Sequence, residues 1–474
     1  MTLLIPTIGI EVHVELKTTS KVFSPSPNTY GEIANSKTNV IDLGYPGVLP
    51  TLNKEVVDLA LKACLVTNCH INNRMYFDRK NYFYPDLSKG YQITQAETPI
   101  GNDGYIDIFI NGENKRIEIE RIHIEEDTAK SMHEGESTLL DFNRAGIPLI
   151  EIVTKPVIRS GEEAVLYLEK LRELLLYTDV SDVKIEEGSM RCDANVSLSE
   201  DISSLGVKTE VKNIGSIANV RLAINHEIDR QRILIENGEK ITNQTRRFDE
   251  KTGTTILMRN KEGNNDYRYF PEPDIPYIEI DNNWINNIKS NIPLLPSELR
   301  DKYQSLGIND IAIQALVNNR DLSSFLNKVI ETGSNPVISA NIITGDILFF
   351  LNKHNIKLEQ TKLTISNFID LVNLIDKGDI SSKIGKEILN DLLINGGNVN
   401  DIINNKNLKQ ISDFNTVKDI VLEVLKSNNQ IISDYKSGND KVIKYLVGLV
   451  MKESQGKVNP LVLNEVIESI FKDS

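Results

Sequence analysis

The sequence runs to 474 residues, 40% hydrophobic and 25% charged, with a formal net charge of −14. That length exceeds one comfortable hydrophobic core and implies roughly two to four globular domains. The acidic balance excludes long-range attraction to nucleic acid, so any RNA contact must come from local basic patches.

The chain opens MTLLIPTIGIEVHVEL, which lacks a basic leader and meets charge early, so it does not read as a signal peptide. No run approaches the ~18 apolar residues of a membrane span, and a cytoplasmic location is expected. The first predicted strand, Ile8–Leu16, is apolar at 8, 10, 12, 14 and 16, which places Glu11, His13 and Glu15 together on its other face. A helix follows over Lys54–Leu65. It carries Cys64, with Cys69 just beyond; with Cys192 they make three cysteines, too few and too scattered for a disulfide framework. The segment Phe77–Asp86 is rich in Tyr and Phe and contains Lys80.

Strands are predicted at Tyr105–Ile110 and Arg116–Glu125. In the second, apolar parity shifts between Ile119 and Ile122, which implies a bulge and puts His123 and Glu125 on one face, with Glu126 and Asp127 at the end. Pro148–Val153 presents Glu151 alone among apolar neighbours. Gly161–Tyr177 is helical by spacing. Arg191–Leu198 sets Arg191, Asp193 and Asn195 on one face; a further strand is predicted at Val207–Val211, and the overlapping Thr209–Asn213 puts Glu210 and Lys212 together. A helix over Ala218–Glu236 ends at Asn237-Gly238. Runs of strands with occasional long helices indicate α+β architecture. Near residue 295 the pattern turns helical. Ser297 is a predicted N-cap, and segments follow near 309–332, 339–353, 365–376 and 381–394. Gly396-Gly397 and the asparagine-rich Asn398–Asn407 mark a further boundary. The expected domains are 1–294, a sheet-based catalytic domain; 295–407, a helical domain; and 408–474, a small helical tail.

P-loop, Rossmann glycine, H-E-x-x-H, C-x-x-C and G-x-S-x-G motifs are all missing, so any ATP chemistry must use another scaffold. Five predicted strands each project carboxylates from otherwise apolar sequence. As sheet neighbours they would repel one another unless cations lay between them, and Mg²⁺ is the oxygen-seeking ion that suits such a face and bridges to phosphate. Phosphoryl transfer, governed by positioning and charge neutralisation, is the chemistry such a site fits. Candidate phosphate cations are Lys80, Arg144, Lys212, Arg246-Arg247, Arg259 and Arg268.

The stretches GIEVHVEL (9–16), NVIDLGYPGVLPTLN (39–53), FDRKNYFYPDLSKGYQITQ (77–95), IHIEEDTAK (122–130), DFNRAGIPLIEIVTKP (141–156), MRCDANVSL (190–198), TEVKNIGS (209–216), QTRRFDE (244–250) and DYRYFPEPDIP (266–276) resemble, in order, the B subunits of aspartyl/glutamyl-tRNA(Asn/Gln) amidotransferases. SSKIGKEIL (381–389) and VGLVMKESQGKVNP (447–460) extend the resemblance. It implies an antiparallel-sheet catalytic domain similar to glutamine synthetase, followed by all-helical domains. It implies ATP and Mg²⁺ as cofactors, and a heterotrimer formed with two partners, an amidase (the A subunit) and a small C subunit. The activity it implies is phosphorylation of the side-chain carboxylate of Glu-tRNA(Gln) or Asp-tRNA(Asn), then amidation by ammonia from the amidase. The motifs place Glu11, His13, Glu125, Glu151, Asp193 and Glu210 around the metal–nucleotide site, with the first five as metal ligands. Lys80, Arg144, Lys212, Arg247 and Arg268 are the nucleotide-side cations, and Tyr82 and Asp86 would line an ammonia entry. Some members carry a C-x-x-C ahead of the GYPGVLP-like segment and bind zinc there. Asn39-Val-Ile-Asp42 stands in its place, so no zinc is expected. Tyr435-Lys436, Lys441, Lys444, Lys452 and Lys457, with Lys383 and Lys386, form local patches for tRNA. Two other readings remain: a stand-alone carboxylate–amine ligase acting on a small molecule, and a non-catalytic RNA-binding scaffold whose acidic face is merely solvated.

Overall fold

A computed structural model describes the chain except residues 1–3, 186, 202–203, 261–265, 407–410, 412, 429, 433–440, 455 and 473–474. It divides into two compact units, 1–295 and 296–474.

The first unit is built on a nine-stranded sheet. Its strands in chain order are β1 (Ile5–Glu15), β2 (His70–Ile71), β3 (Gly101–Ile110), β4 (Glu113–Glu126), β5 (Pro148–Thr154), β6 (Met190–Ser199), β7 (Thr209–Lys212), β8 (Gln244–Asp249) and β9 (Thr254–Asn260). They lie side by side in the order β9-β8-β7-β6-β1-β5-β4-β3-β2, which places β1 at the centre. Period-two alternation along β1 buries Ile8, Ile10, Val12, Val14 and Leu16 completely. Each such side chain contributes about 1.5–3 kcal/mol by leaving water.

The helices α1 (Lys54–Val66), α2 (Gly161–Tyr177) and α3 (Ile217–Glu236) start at the side-chain caps Asn53, Ser160 and Ser216. They share one hydrophobic core with the apolar face of the sheet. Glycines let α1 and its exit approach β3. A Cβ on Gly101 would lie 2.6 Å from the Cys64 sulfur, and one on Gly104 would lie 2.2 Å from that of Cys69. All three cysteines are buried and free.

The parity shift in β4 is a register irregularity: Val153 faces Arg121 and Thr154 faces Ile119, so Glu120 is skipped. The sheet is antiparallel apart from β7 and β8, which pair in parallel. Parallel neighbours need a crossover, and α3 supplies it. Sequence patterning marks the segment of β8 and β9 only as a carrier of arginines; the structure makes it two strands at one edge of the sheet. Short pairs outside the main sheet join Asp78–Asn81 with Tyr91–Thr94 and with Phe270–Pro271.

The named elements of the second unit are all helices, with an isolated β-bridge between Ile411 and Val458. Its first helix is Pro296–Ser305, so proline occupies the first helical position and Ser297 lies inside the first turn rather than capping it. The run predicted near 309–332 breaks into Asp310–Val317 and Arg320–Glu331, each capped by an asparagine side chain. The run near 339–353 contains a π-helical turn, Ile343–Ile347. Helices Phe414–Ser427, Lys441–Glu453 and Pro460–Lys472 share a separate apolar cluster. No helix among the described residues is long and apolar enough to cross a membrane.

Candidate active site

The face of the sheet opposite the helices carries the polar residues, and strand register decides which of them meet. His13 on β1 lies opposite Glu151 on β5 and opposite Arg191 on β6, while Glu151 lies opposite His123 on β4. One row across four strands therefore reads His123, Glu151, His13, Arg191. In the neighbouring row Glu11 faces Asp193, and in the row beyond it, level with Gly9, Asn195 faces Glu210.

Two clusters result, in each of which one ligand atom per residue lies within 4.8 Å of the others: His13, Glu125 and Glu151, and Glu11, Asp193 and Glu210. In the first, His13 Nε2 is 3.3 Å from Glu125 and 3.8 Å from Glu151, and His123 Nε2 is 2.9 Å from Glu151. Burial works against the Glu151 carboxylate, but His123, His13 and Lys80 together hold its pKa well below the usual range. Burial and the nearby Glu151 push Glu125 the other way, with the His13 charge opposing them.

In the second cluster burial, then Glu151, Glu210 and Asp193, raise the Glu11 pKa, against a hydrogen bond from the Asn195 amide at 2.8 Å. The Lys212 ammonium bridges Asp193 at 2.5 Å and Glu210 at 3.0 Å. Burial opposes that charge, yet the two carboxylates raise its pKa overall. His123 Nδ1 and Asn195 Oδ1 are buried without a hydrogen-bond partner. An all-oxygen set and a mixed nitrogen–oxygen set, both crowded with carboxylates, fit hard divalent cations.

The remaining predicted cations divide. Lys80 sits 4.9 Å from the Tyr267 ring centroid and 5.7 Å from that of Tyr82. Burial lowers its pKa, but Glu125 and Glu151 outweigh this and raise it, so it belongs with the first cluster. Arg144 donates Nε to Asp127 at 2.6 Å. Arg247 and Arg268 are exposed, and neither forms a hydrogen bond or ion pair with either cluster. Arg247 alternates away from its buried neighbour Phe248 on β8, and Arg268 has left-handed backbone with φ 49°. Tyr82 hydrogen-bonds Gln92 at 3.3 Å, and Asp86 accepts from Thr128 at 3.3 Å.

Asp127 and Arg191 join the site, although the sequence pattern only places Arg191 on the face of Asp193 and Asn195, and Asp127 at a strand end, and gives neither a role. Asp127 closes β4 and accepts from both Arg144 and Arg191. Glu15 faces the same group. Burial first and Asp127 second lift its pKa to about 7, against Arg144 and Arg191.

The segment in place of a C-x-x-C folds around a buried ion pair, Lys21–Asp42 at 3.2 Å. Ser24 and Ser26 donate to the same carboxylate at 2.6 and 2.5 Å, and the Asn39 backbone N–H does so at 3.1 Å. In the second unit Lys383, Lys386, Lys444 and Lys452 are exposed and Lys457 is half-buried. Lys386 is paired with Asp346 at 2.5 Å. Tyr435 and Lys436 lie outside the described residues, and so does the Lys441 side chain.

Residues 6–286 match the family described as GatB/GatE catalytic domain, and residues 324–471 match the GatB domain. The B subunit of the aspartyl/glutamyl-tRNA(Asn/Gln) amidotransferase of Lysinibacillus sphaericus (strain C3-41) is 50% identical over 463 residues, covering 97% of this chain and 98% of its own length. Its counterpart in Staphylococcus aureus (strain JH9) is 49% identical over 463 residues, with the same coverage. The two matched domains and this near-complete coverage show that the chain belongs to the GatB family, the B subunits of amidotransferase enzymes.

Proposed function

We propose that the chain phosphorylates, with ATP, the side-chain carboxylate of glutamate mischarged on tRNA(Gln), of aspartate mischarged on tRNA(Asn), or of both, and then amidates it. The observation that carries this reading is the pair of carboxylate clusters side by side on one sheet face. A carboxylate-rich antiparallel face of this kind is also what a fold related to glutamine synthetase would present.

In the first step an oxygen of the substrate carboxylate attacks the γ-phosphorus of ATP. The bond from that phosphorus to the bridging oxygen breaks, and its electron pair leaves with ADP. In the second step ammonia attacks the acyl carbon, phosphate departs with the C–O electron pair, and the nitrogen sheds a proton. No covalent protein intermediate is needed.

His13, Glu125 and Glu151 would hold one Mg²⁺, and Glu11, Asp193 and Glu210 another. Bound there, the ions would neutralise charge on the transferring phosphoryl group. The protein's own share is positioning. His123 orients Glu151, Asn195 orients Glu11, and Lys212 and Lys80 supply fixed positive charge beside the two clusters. The Lys21–Asp42 node gives the 20–42 segment an internal tie that does not call for zinc.

Ammonia would come from a separate amidase, the A subunit, with a small C subunit holding the pair together in a cytoplasmic heterotrimer that serves protein biosynthesis. Tyr82 and Asp86 are candidates for the ammonia entry. The exposed lysines of the second unit would hold the tRNA body. Deleting residues after about 408 is then expected to raise KM for aminoacyl-tRNA far more than KM for ATP; equal effects on both would sink that division of labour. The test of the function is to assay the purified complex with each mischarged tRNA, scoring ADP and amide together. ADP formed without either mischarged tRNA would favour a small-molecule ligase, and no ADP with any of them would leave the scaffold reading.

A further inference from the structure

Arg191 occupies the end of the row formed by His123, Glu151 and His13, directly opposite His13 across the β1–β6 pairing. It lines a cavity of about 480 Å³ together with His13, Asp193 and Lys212. That cavity borders both carboxylate clusters, since His13 belongs to one and Asp193 to the other.

The guanidinium is held from one side only. Its Nη2 donates to Asp127 Oδ2 at 3.1 Å, and the same oxygen also accepts from Arg144 Nε at 2.6 Å. Two guanidinium groups thus share one carboxylate oxygen, and neither is fully neutralised by it. Glu15 faces both arginines but hydrogen-bonds neither. Among the described residues, Arg191 Nε and Nη1 make no hydrogen bond, and the side chain keeps 44% of its surface exposed.

A guanidinium anchored through one nitrogen, with its other N–H groups free beside a cavity, is a preorganised fork for an oxyanion. The carboxylates of the two clusters are acceptors only and cannot bind an anion directly, and His13 Nε2 is turned to Glu125 at 3.3 Å. Lys212 is the other cation lining the cavity, and it is already bonded to Asp193 and Glu210.

We infer that Arg191 is a catalytic residue that holds the γ-phosphoryl group of ATP through its free N–H edge. The inference rests on the proposed ATP-dependent reaction and deepens it. As the carboxylate–phosphorus bond forms and the bond to the ADP oxygen breaks, Arg191 stays on the non-bridging oxygens, and Asp127 keeps the guanidinium from swinging away.

The test compares equilibrium binding of ATP and of ADP, each with Mg²⁺, to the full chain in its complex, for wild type, Arg191→Met and Arg191→Lys. Asp127 keeps Arg144 in both variants, so its charge remains paired. The expected result is a loss of ATP affinity of about tenfold or more in Arg191→Met, with ADP affinity unchanged within about twofold. Arg191→Lys should recover part of the ATP affinity. Equal losses for ATP and ADP, or no loss for either, would overturn the inference and leave the proposed function standing. A wild-type complex that binds neither nucleotide would overturn both.

Discussion

The two clusters on the sheet face are built from the same strand, yet they are balanced differently. At His13, Glu125 and Glu151, the charge on the carboxylates is met by imidazoles and by Lys80, and the Glu151 pKa falls well below its ordinary value. At Glu11, Asp193 and Glu210, an ammonium does the balancing: Lys212 spans two of the three acids, while Glu11 is left with an amide donor and a raised pKa. The first cluster is thus already balanced by its own imidazoles and by Lys80. The second contains a lysine that competes for the carboxylate oxygens a cation would use. The two are expected to differ in metal affinity even though they lie two residues apart on β1.

The strongest way to break this comparison is to remove one acid from each side. Glu11→Ala and Glu125→Ala are each expected to slow tRNA-dependent ATP cleavage by about a thousandfold or more, since each removes a ligand from a charge-neutralising site. Binding of the tRNA, followed by filter retention, should be unchanged. Normal ATP cleavage in both variants would make the acidic face a solvated surface.

Lys212→Met tests the asymmetry itself. Without the bridging ammonium, Asp193 and Glu210 are free for a cation, so Mg²⁺ should activate at lower concentration, while kcat falls by about ten- to a hundredfold for want of a positive charge near the phosphates. A higher Mg²⁺ requirement would show that Lys212 organises the second cluster rather than competing within it.

Glu15 gives the smallest effect, and its sign is set by its raised pKa of about 7. The folded state binds this proton more tightly than the unfolded chain does, so the carboxylate's contribution to stability declines as pH climbs from the ordinary glutamate value toward 7. In metal-free protein, Glu15→Gln should therefore match wild type below about pH 4.5 and exceed it by about 2 °C in Tm above pH 7. A Tm difference independent of pH would rule out a buried, titrating Glu15.

Much of this is legible in the sequence, because alternation is a local signal. The apolar parity of 8 to 16 fixes which side of β1 carries Glu11 and His13, and the parity break between Ile119 and Ile122 corresponds to the skipped Glu120 in the β4–β5 register. What alternation cannot supply is which strand lies beside which. Glu11 and Asp193 are far apart in sequence and become neighbours only through the β1–β6 pairing. Arg191 is one more polar residue on an outer face until that register sets it opposite His13. Arg247 and Arg268 are marked for phosphate by composition alone, and the strand register that gathers the carboxylates leaves both exposed and unbonded to the clusters. The parallel β7–β8 pair is hidden for a similar reason, since a four-residue strand such as Thr209–Lys212 shows little period of its own.

Each cluster is expected to hold its own divalent cation. Counting bound Mn²⁺ by electron paramagnetic resonance during titration tests this most directly, in wild type, Glu151→Ala and Glu11→Ala. The expected result is two ions per chain in wild type, with unequal affinities, and one in each variant. A wild-type chain that binds a single ion, or variants that keep both, would contradict the account.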